Sequence, residues 1–427
     1  IAQPQQVSVI AQFIDRITAN KAIPVVYDPV LSSSSGHHFA SVETQAATKQ
    51  QLLPRCTLIT PNLNEATELT SLAIQSANDM IKAADVLHQM GAQSVLIKGG
   101  HRDGKWCQDY FSSQDPQQAV LNTTPQQFWL TSQRIKTNNT RGTGCALSSS
   151  LATAMALGYP LADATVIGKM AINQGLRHGY GLKGHQGPIA IQSFPDQQID
   201  LPFLTDHADF DFEALSLPEC NQPTLGLYPV VPDFDWLKLV IDCGVTTAQI
   251  RIKDQSGAAL ESELIKCIRY AKSQNCRLYV NDHWQLAIKH KAYGVHLGQE
   301  DISTTAWQEI HAAGISLGIS THCHYEVARA HSYKPSYVAC GPVFPTQSKV
   351  MPWQTHGSKG LSYWRTVLDY PLVAIGGINH ENLATIMACQ VDGIAMISAI
   401  TEAANPTAAC QQLMQQITSQ QSKSMIQ

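Results

Sequence analysis

Leu278-Tyr279-Val280-Asn281-Asp282 and, a short distance along the chain, Gly294-Val295-His296-Leu297-Gly298-Gln299-Glu300-Asp301 have the same arrangement. Each begins with a largely apolar run typical of a buried β-strand and ends in an acidic residue. Because the parallel strands of a barrel direct their carboxyl ends to one mouth, we expect Asp282 and Asp301 to meet there. Carboxylate oxygens suit Mg²⁺, so the pair predicts a metal site.

A strand with a cationic face precedes these two segments. Polar and apolar residues alternate from Gln249 to Lys253, which places Gln249, Arg251 and Lys253 on one face of an extended strand. Guanidinium and ammonium groups bind phosphate oxygens. Together with the carboxylate pair, they predict a ligand that carries a metal-bound diphosphate.

The C-terminal half contains repeated strand-like runs, with helical patterns between many of them. Eight βα repeats in about 200 residues are typical of a (β/α)₈ TIM barrel. An open doubly wound sheet is the structural alternative. The runs cover residues 227–231, 248–252, 278–280, 294–297, 315–319, 337–339, 372–375 and 394–397.

Hydroxyl groups, glycines and an ammonium group follow the later runs, where barrel enzymes keep their sites. Backbone N–H groups in such loops and at helix N-termini bind phosphate. The arrangement predicts two phosphate-bearing ligands, one bound to a metal and one on the glycine loop. The residues concerned are Ser320, Thr346, Ser348, Lys349, Gly376, Gly377 and Ser398.

Composition narrows the class of protein. A chain of 427 residues is too long for one ordinary core and predicts two or three domains. A net charge of −4 without a basic block argues against nucleic acid as a partner.

Eleven cysteines without a Cys-x-x-Cys pair indicate reduced thiols. With no apolar run of membrane-spanning length and no signal peptide, we expect no membrane partner and a cytoplasmic protein.

The motifs of the C-terminal half together resemble thiamine phosphate synthase. They lie at residues 249–253, 281–283, 294–301, 344–349 and 374–378, and the similarity runs from Leu227 to about Ile400. The resemblance implies an enzyme that joins 4-amino-5-hydroxymethyl-2-methylpyrimidine diphosphate to a thiazole phosphate and releases pyrophosphate. It also implies Mg²⁺ as the cofactor and small molecules as the partners.

By matching motif, the resemblance implies roles for individual residues. Asp282 and Asp301 would bind Mg²⁺. The diphosphate would be held by Gln249, Arg251, Lys253, Asn281, Ser320 and Lys349. The thiazole phosphate would be held by Thr346, Ser348, Gly377, Ile397 and Ser398. No protein nucleophile is required, so catalysis would be electrostatic and positional, with Arg251 and Lys349 as its cations.

Other interpretations of these residues stay open. Arg251 and Lys253 are also typical of surface charges, and Asp282 and Asp301 of caps on the following helices. A thiazole tautomerase relative would share the barrel and the thiazole site, but only a diphosphate needs the cations and the acid pair. A protein that senses thiamine or its precursors would not need to stabilise a leaving diphosphate.

The N-terminal half alternates short apolar runs with helical stretches. This alternation predicts an α/β domain with a parallel or mostly parallel sheet. Prolines and acids interrupt the pattern between residues 183 and 224, which predicts a linker, with room for short pieces packed on a domain. The predicted domains are therefore residues 1–182 and 225–427.

Arg141-Gly142-Thr143-Gly144-Cys145 is a glycine-rich turn that opens a helix of small residues. The N–H groups of Gly142, Thr143 and Gly144 would form an anion hole for a transferring phosphoryl group. A small-residue helix that packs on a sheet would have the same sequence, so the motif alone decides nothing.

With the motifs at residues 27–30, 60–65 and 97–101, this turn resembles the hydroxymethylpyrimidine and phosphomethylpyrimidine kinase of the ribokinase-like fold. The resemblance implies ATP as a cofactor. Lys98 would contact the ATP phosphates, and Asn62 with Glu65 would organise Mg²⁺ and phosphate. Cys145 would take the catalytic position, where the helix N-terminus favours its thiolate, unless it is a small core thiol.

The sequence begins at Ile1, and the glycine-rich segment and early strands of that kinase family do not precede it. We therefore expect an incomplete ribokinase-like α/β domain that keeps the ATP side and lacks much of the pyrimidine pocket. No kinase turnover is expected from residues 1–427. A synthase with a non-catalytic, kinase-like regulatory domain is the alternative, and the sequence leaves open whether the chain forms a homo-oligomer.

Overall fold

The apolar runs of the N-terminal half form a six-stranded sheet in the computed structural model. The structure describes residues 1–31, 39–100, 104–115, 126–182, 185–212, 224–346 and 355–424, without the side chains of 420–424. In chain order, which is also the order in the sheet, the strands are β1 (Val26–Tyr27), β2 (Leu58–Ile59), β3 (Ser94–Ile97), β4 (Trp106–Ser113), β5 (Gln127–Gln133) and β6 (Phe203–Thr205).

The prediction of a mostly parallel sheet is correct for the first three strands and wrong for the others. β1, β2 and β3 pair in parallel. The pairs β3–β4, β4–β5 and β5–β6 are antiparallel. A parallel pair needs a crossover of a dozen or more residues, and the connection from β3 to β4 is too short for one.

The helices of this half bury apolar residues at helical spacing. In the first helix, Val7, Ala11 and Ile14 form the buried face. The helices are α1 (Pro4–Thr18), α2 (Val42–Ala47), α3 (Leu63–Thr70), α4 (Ala77–Gln89), α5 (Thr143–Ala156) and α6 (Leu161–Arg177). A π-helical segment, Thr48–Leu52, continues α2.

A buried ion pair connects the sheet of this half to α6. Lys169 on α6 donates to Asp109 on β4 across 2.6 Å, and both side chains are less than a tenth exposed. The other carboxylate oxygen of Asp109 accepts from the N–H of Gly99 at 2.9 Å. Asp109 therefore fixes the backbone just beyond β3, next to Lys98.

The apolar runs of the C-terminal half form a closed barrel of eight parallel strands, as the sequence predicts. The last strand pairs with the first, so the sheet has no free edge. The strands are β7 (Gly226–Val231), β8 (Thr247–Ile250), β9 (Arg277–Asn281), β10 (Gly294–Leu297), β11 (Ser316–Thr321), β12 (Tyr337–Cys340), β13 (Leu372–Ile375) and β14 (Gly393–Met396).

Helices follow the barrel strands in the order that βα repeats require. They are α7 (Phe234–Asp242), α8 (Gly257–Ser273), α9 (Trp284–Lys289), α10 (Trp307–Ala313), α11 (His324–His331), α12 (Gly357–Val367), α13 (Leu383–Met387), α14 (Ser398–Thr401) and α15 (Pro406–Ser424). Only Ile397 separates β14 from α14, so the first turn of α14 lies at the end of the eighth barrel strand.

Tyrosines fill the centre of the barrel, and glycines make room for them. Tyr228, Tyr279 and Tyr337 are buried, with ring centroids 5.1 to 5.9 Å apart. A Cβ atom on Gly318 would lie 2.1 Å from the ring of Tyr337, and one on Gly294 would lie 2.6 Å from Tyr279. Large side chains thus face glycines inside the barrel, and the phenol groups bring polar atoms into its core.

The chain divides into two compact units, Ile1–Pro195 with Ile199–Phe210, and Asp196–Gln198 with Asp211–Gln427. β6 lies within the segment predicted to be a linker, and it pairs with β5. The predicted domain bounds, with residues 183–224 as a linker, stay a prediction.

Two further observations on the described residues concern membrane-spanning helices and disulfide bonds. In the part of the chain that the structure covers, no helix combines the length and the apolarity needed to cross a bilayer. Every cysteine described there has a free thiol.

Replacement of Lys169 tests the buried ion pair. Lys169→Met should lower the free energy of unfolding by about 3 kcal/mol, because it leaves the Asp109 carboxylate buried without its cation. Urea unfolding followed by circular dichroism measures the change. Asp15→Asn, which breaks the exposed pair between Asp15 and Arg55, is the control and should move the midpoint little. Equal effects of the two substitutions would contradict the prediction.

Candidate functional site

A pocket opens at the carboxyl ends of the barrel strands. Its lining comes from the ends of successive strands and from the loops that follow them. It brings together residues that lie far apart in the sequence, as expected at the mouth of a parallel barrel. The sequence-predicted residues that line it are Gln249, Arg251, Asn281, Asp282, Ser320, Thr346, Gly376, Gly377, Ile397 and Ser398.

The remaining predicted residues of this half have different placements. Asp301 does not line the pocket itself but contacts Asp282, which does. β8 ends at Ile250, and the N–H of Arg251 still donates to the carbonyl of Val231 at 2.8 Å. Lys253 is exposed and does not line the pocket. Ser348 and Lys349 lie outside the residues that the structure describes.

Asp282 has a backbone conformation that few residues other than glycine adopt. Its φ is 62°, in the left-handed region, which aspartate tolerates better than most side chains. Its N–H donates to the carbonyl of His296 on the neighbouring strand at 3.0 Å. The link to β10 holds the turn after β9 in place, and such strain is concentrated at functional sites.

Asp301 is positioned by its own loop. The N–H of Gly298 donates to Asp301 Oδ2 at 2.9 Å, and the backbone carbonyl of Asp301 accepts from the hydroxyl of Thr305 at 2.7 Å. The loop after β10 therefore turns back on itself. This turn brings the carboxyl group of Asp301 close enough to that of Asp282 for the charge of Asp282 to raise the pKa of Asp301.

The acid pair is electrostatically unfavourable by itself. Burial, with the charge of Glu300 adding to it, raises the pKa of Asp282, and the positive charge of Arg251 opposes this shift. Burial and the negative charge of Asp282 raise the pKa of Asp301 to about 6. A divalent cation between the two carboxyl groups would remove their repulsion, so the pair fits Mg²⁺.

The acid pair supplies only part of a metal's coordination shell. Among the described residues, no group of three or more His, Cys, Asp and Glu side chains is arranged to hold a metal ion. Mg²⁺ usually combines one or two carboxylates with water and phosphate oxygens. An ion at this pair would therefore be shared with a bound anionic ligand.

Two consecutive glycines form the opposite rim of the pocket. Gly376 and Gly377 have φ values of 101° and 65°. A Cβ atom would lie 2.7 Å from Pro342 Cα at the first position and 2.5 Å from the Pro345 carbonyl at the second. Only glycine fits both positions. Asn382 holds the turn by donating to the carbonyl of Gly377 at 2.9 Å.

Several lining residues carried no role in the sequence analysis. Gln299, Glu300 and His322 line the pocket. Nδ1 of His322 lies 2.6 Å from Glu326 Oε2, which also accepts from the N–H of His322 at 2.8 Å. Glu326 is fully buried. The spacing of four residues between His322 and Glu326 is the feature of the sequence that could have indicated this contact.

His296 is a further residue without a role in the sequence analysis. It lines the pocket and is almost fully buried. Burial, together with the charge of Arg251, lowers its pKa to about 3. The imidazole is therefore neutral at physiological pH.

In the N-terminal half, Lys98 lies between two acids. Its ammonium group donates to Asp28 Oδ1 at 2.8 Å and lies 3.9 Å from Glu65 Oε2. Burial raises the pKa of Glu65 to about 7, and the charge of Lys98 opposes this shift. Asp28 belongs to a quoted motif but had no assigned role. It lies 70 residues from Lys98, so no local pattern reveals the pair.

Asn62 and Glu65 form a capping box at the start of α3. The N–H of Asn62 donates to Glu65 Oε2 at 2.7 Å, and the N–H of Glu65 donates to Asn62 Oδ1 at 2.9 Å. Asn62 also forms a parallel bridge with Lys98. The cap thus brings the carboxyl group of Glu65 close to the ammonium group of Lys98.

The glycine-rich turn lies against the same lysine. Gly142, with a φ of 84°, is the N-cap of α5, and Thr143 is the first residue of that helix. A Cβ atom on Gly144 would lie 3.1 Å from Asp28 Oδ2 and 3.3 Å from Lys98 Nζ. Cys145 is exposed in the first turn of the helix. The turn, Lys98 and Asp28 are therefore neighbours.

Comparison with protein families divides the chain in the same way as the fold. A family model described as thiamine monophosphate synthase matches residues 227–400. A second model, described as phosphomethylpyrimidine kinase, matches residues 1–190.

Individual relatives match the C-terminal half. A thiamine-phosphate synthase of Serratia proteamaculans is 50% identical over 194 residues, which cover 45% of this chain and 92% of that protein. A thiamine-phosphate synthase of Salmonella typhimurium is 50% identical over 182 residues, covering 42% of this chain and 86% of that protein.

Solved structures match each half separately. A thiamine phosphate pyrophosphorylase from Pyrococcus furiosus is 28% identical with a TM-score of 0.41, covering 46% of this chain and 96% of that one. An ADP complex of Bacillus subtilis pyridoxal kinase is 27% identical with a TM-score of 0.39, covering 45% of this chain and 67% of that one.

The closed barrel, with acids, a cation and glycines at one mouth, defines a (β/α)₈ enzyme. Because the matched part of the chain is 50% identical to the Serratia relative over 92% of that protein's length, the chain belongs to the thiamine-phosphate synthase family. It is an enzyme of thiamine biosynthesis with a fused kinase-like half.

Removal of one acid tests the repulsion in the pair. Asp301→Asn should stabilise the protein at pH 7 without divalent cations, by on the order of 1 kcal/mol because the carboxyl group is only partly buried. The pKa of Asp301 rises from 3.8 to about 6, so between these values the folded state keeps a proton that the unfolded state loses. The stability of the unsubstituted protein therefore falls as the pH rises through this range.

Urea midpoints at pH 5 and pH 7 in the presence of EDTA measure this effect. The difference between the two midpoints should shrink in Asp301→Asn and stay unchanged in Asp254→Asn, which alters an exposed acid outside the pair. An unchanged difference in both variants would show that the acids do not repel each other.

Proposed function

We propose that the barrel joins 4-amino-5-hydroxymethyl-2-methylpyrimidine diphosphate to a thiazole phosphate and releases thiamine phosphate and pyrophosphate. The observation that carries this proposal is the contact between Asp282 and Asp301 beside Arg251 at one mouth of the barrel. Two acids in contact favour a divalent cation, and a neighbouring guanidinium favours an anion. A diphosphate that brings Mg²⁺ satisfies both.

The proposed diphosphate site surrounds the acid pair. Asp282 and Asp301 would hold Mg²⁺, which supplies charge neutralisation to the diphosphate when it is bound. The residues proposed to hold the diphosphate are Gln249, Arg251, Lys253, Asn281, Ser320 and Lys349. Four of them, Gln249, Arg251, Asn281 and Ser320, line the pocket, which supports their assignment.

The proposed thiazole phosphate site lies at the ends of the seventh and eighth barrel strands. Gly377 follows β13, and Ser398 follows β14 as the first residue of α14. Barrel enzymes frequently bind phosphate with the loops after these two strands and the N-terminus of a short extra helix. Thr346, Ser348 and Ile397 complete the proposed set.

The proposed reaction is a dissociative displacement. The bond between the pyrimidine methylene carbon and the diphosphate oxygen breaks, and its electron pair leaves with the diphosphate. The thiazole nitrogen then attacks the resulting pyrimidinyl methyl cation. Arg251 and Lys349 would stabilise the departing charge, and the pocket would hold the two reactants in position.

For the N-terminal half, we propose ATP binding at the site around Lys98. Lys98 would contact the ATP phosphates, Asn62 and Glu65 would organise Mg²⁺, and residues 142–144 would form the anion hole with Cys145 as the catalytic thiol. The proximity of the turn to Lys98 supports this assignment. The absence of kinase turnover from residues 1–427 stays a prediction, as does a cytoplasmic location.

The synthase proposal predicts a strong effect of one acid. Wild-type protein with the pyrimidine diphosphate, the thiazole phosphate and Mg²⁺ should form thiamine phosphate, detected by chromatography. Asp282→Asn should lower kcat/KM about a hundredfold or more, because it removes a charge that holds the cation next to the leaving group. Asp254→Asn is the matched control and should retain the wild-type rate. A normal rate in Asp282→Asn would remove Asp282 from the site.

The ATP proposal predicts a specific loss of nucleotide affinity. Lys98→Met should weaken the binding of ATP with Mg²⁺ about tenfold or more, because a charge-assisted hydrogen bond to phosphate is lost. Isothermal titration calorimetry measures the affinity. Lys82→Met removes an exposed lysine of α4 and should bind ATP like the wild type. Equal affinities in all three proteins would place the nucleotide elsewhere.

A further inference from the structure

A chain of hydrogen bonds runs through the interior of the barrel and joins two residues that line the pocket. Ser320 Oγ lies 2.8 Å from His296 Nε2, and Nδ1 of the same imidazole lies 2.7 Å from the hydroxyl of Tyr337. The hydroxyls of Tyr337 and Tyr228 are 2.7 Å apart. Gln249 Nε2 donates to the Tyr228 hydroxyl at 3.4 Å. We call these five residues the hydroxyl chain.

The amide of Gln249 sets the direction of every bond in the hydroxyl chain. Its nitrogen can only donate, so the Tyr228 oxygen accepts from it. The Tyr337 oxygen, 2.7 Å away, is then the acceptor that this contact offers to the Tyr228 hydrogen. With its oxygen accepting from Tyr228, Tyr337 in turn donates to Nδ1 of His296, which needs a free lone pair. The imidazole proton is therefore on Nε2, and it is donated to Ser320 Oγ.

The direction of the hydrogen bonds determines whether Ser320 acts as a donor or as an acceptor toward the pocket. Because Ser320 Oγ accepts from His296, the hydrogen of its own hydroxyl is available for another acceptor. Ser320 lines the pocket, so that acceptor is a bound ligand or water. In the reverse direction, Ser320 would donate to His296 and offer only lone pairs to the pocket, which an anion would avoid.

A buried phenol hydroxyl can form a hydrogen bond without being connected to the pocket. Tyr279 belongs to the same group of buried rings, and its hydroxyl is 2.9 Å from the side chain of Ser316. That pair is contained in the core and involves no residue that lines the pocket. The hydroxyl chain, in contrast, has lining residues at both ends and includes a third, His296.

We propose that the hydroxyl chain fixes the Ser320 hydroxyl as a hydrogen-bond donor to the diphosphate, with His296, Tyr337 and Tyr228 as positioning residues. This inference rests on the proposed synthase function, since it assumes that Ser320 and Gln249 face the diphosphate. It extends the recognition of the anion from the pocket wall into the core of the barrel.

Tyr337→Phe breaks the hydroxyl chain in the middle. It should raise KM for the pyrimidine diphosphate and the Kd for pyrophosphate with Mg²⁺ about tenfold, the effect of one lost hydrogen bond to a charged group. KM for the thiazole phosphate should stay unchanged. Tyr279→Phe, the matched control, removes a buried phenol oxygen from the same ring group and should leave all three constants at the wild-type values.

A double substitution separates positioning from general weakening of the core. If Tyr337 acts through Ser320, then Ser320→Ala with Tyr337→Phe should bind pyrophosphate no more weakly than Ser320→Ala alone. Multiplied losses would overturn the proposal. Urea midpoints identify variants that fail to fold. Should Tyr337→Phe be one of them, Tyr228→Phe breaks the chain one bond further from Ser320 and should raise the same Kd about threefold.

The outcomes distinguish this inference from the function on which it rests. A wild-type protein that makes no thiamine phosphate overturns the synthase proposal. A wild-type protein that makes it, together with a folded Tyr337→Phe variant of unchanged KM and Kd, overturns the hydroxyl chain alone.

Discussion

The repulsion between Asp282 and Asp301 can persist because the closed barrel holds two strand ends together. β9 and β10 are hydrogen-bonded neighbours, and a closed sheet gives their ends no freedom to separate. Asp282 adds a left-handed backbone, secured by the carbonyl of His296. Like charges in contact and a strained residue both cost free energy, so the packing of the whole barrel must offset them. The site is thus the part of the fold that local interactions alone would not build.

The loops of the site are also supported from one helix. Arg329 on α11 is buried and donates to the carbonyl of Gln299 at 2.9 Å and to the hydroxyl of Ser303 at 2.6 Å. These contacts hold the loop that carries Asp301. Three residues earlier on α11, Glu326 holds the backbone and ring of His322, on the loop after β11. Two buried charged side chains of a single helix therefore fix two neighbouring loops of the pocket, and a shift of that helix would disturb both.

The eight barrel strands were predictable because each is a short apolar run, and closure then places their ends at one mouth without further information. The alternation from Gln249 predicted the position of Arg251, but β8 ends at Ile250, sooner than the pattern does, and the role of Lys253 stays a prediction. The antiparallel order of β3 to β6 was missed because apolar runs do not reveal strand direction. Contacts such as those of Lys98 with Asp28 depend on residues far apart in the chain, and one sequence carries no pattern for them.

The candidate anion sites of the two halves differ in their charge balance before an anion binds. In the barrel, the acid pair carries unbalanced negative charge, so a cation improves the site before any anion arrives. In the N-terminal half, the ammonium group of Lys98 is already neutralised by Asp28 at 2.8 Å. A phosphate that approaches Lys98 must either compete with Asp28 or arrive with a cation that takes Asp28 as its own partner. The second route costs less, because it leaves no buried carboxylate unpaired. A metal-bound nucleotide therefore fits the proposed N-terminal site better than free phosphate does. In the proposed sites of both halves, the acids would bind the metal ion that accompanies the anion.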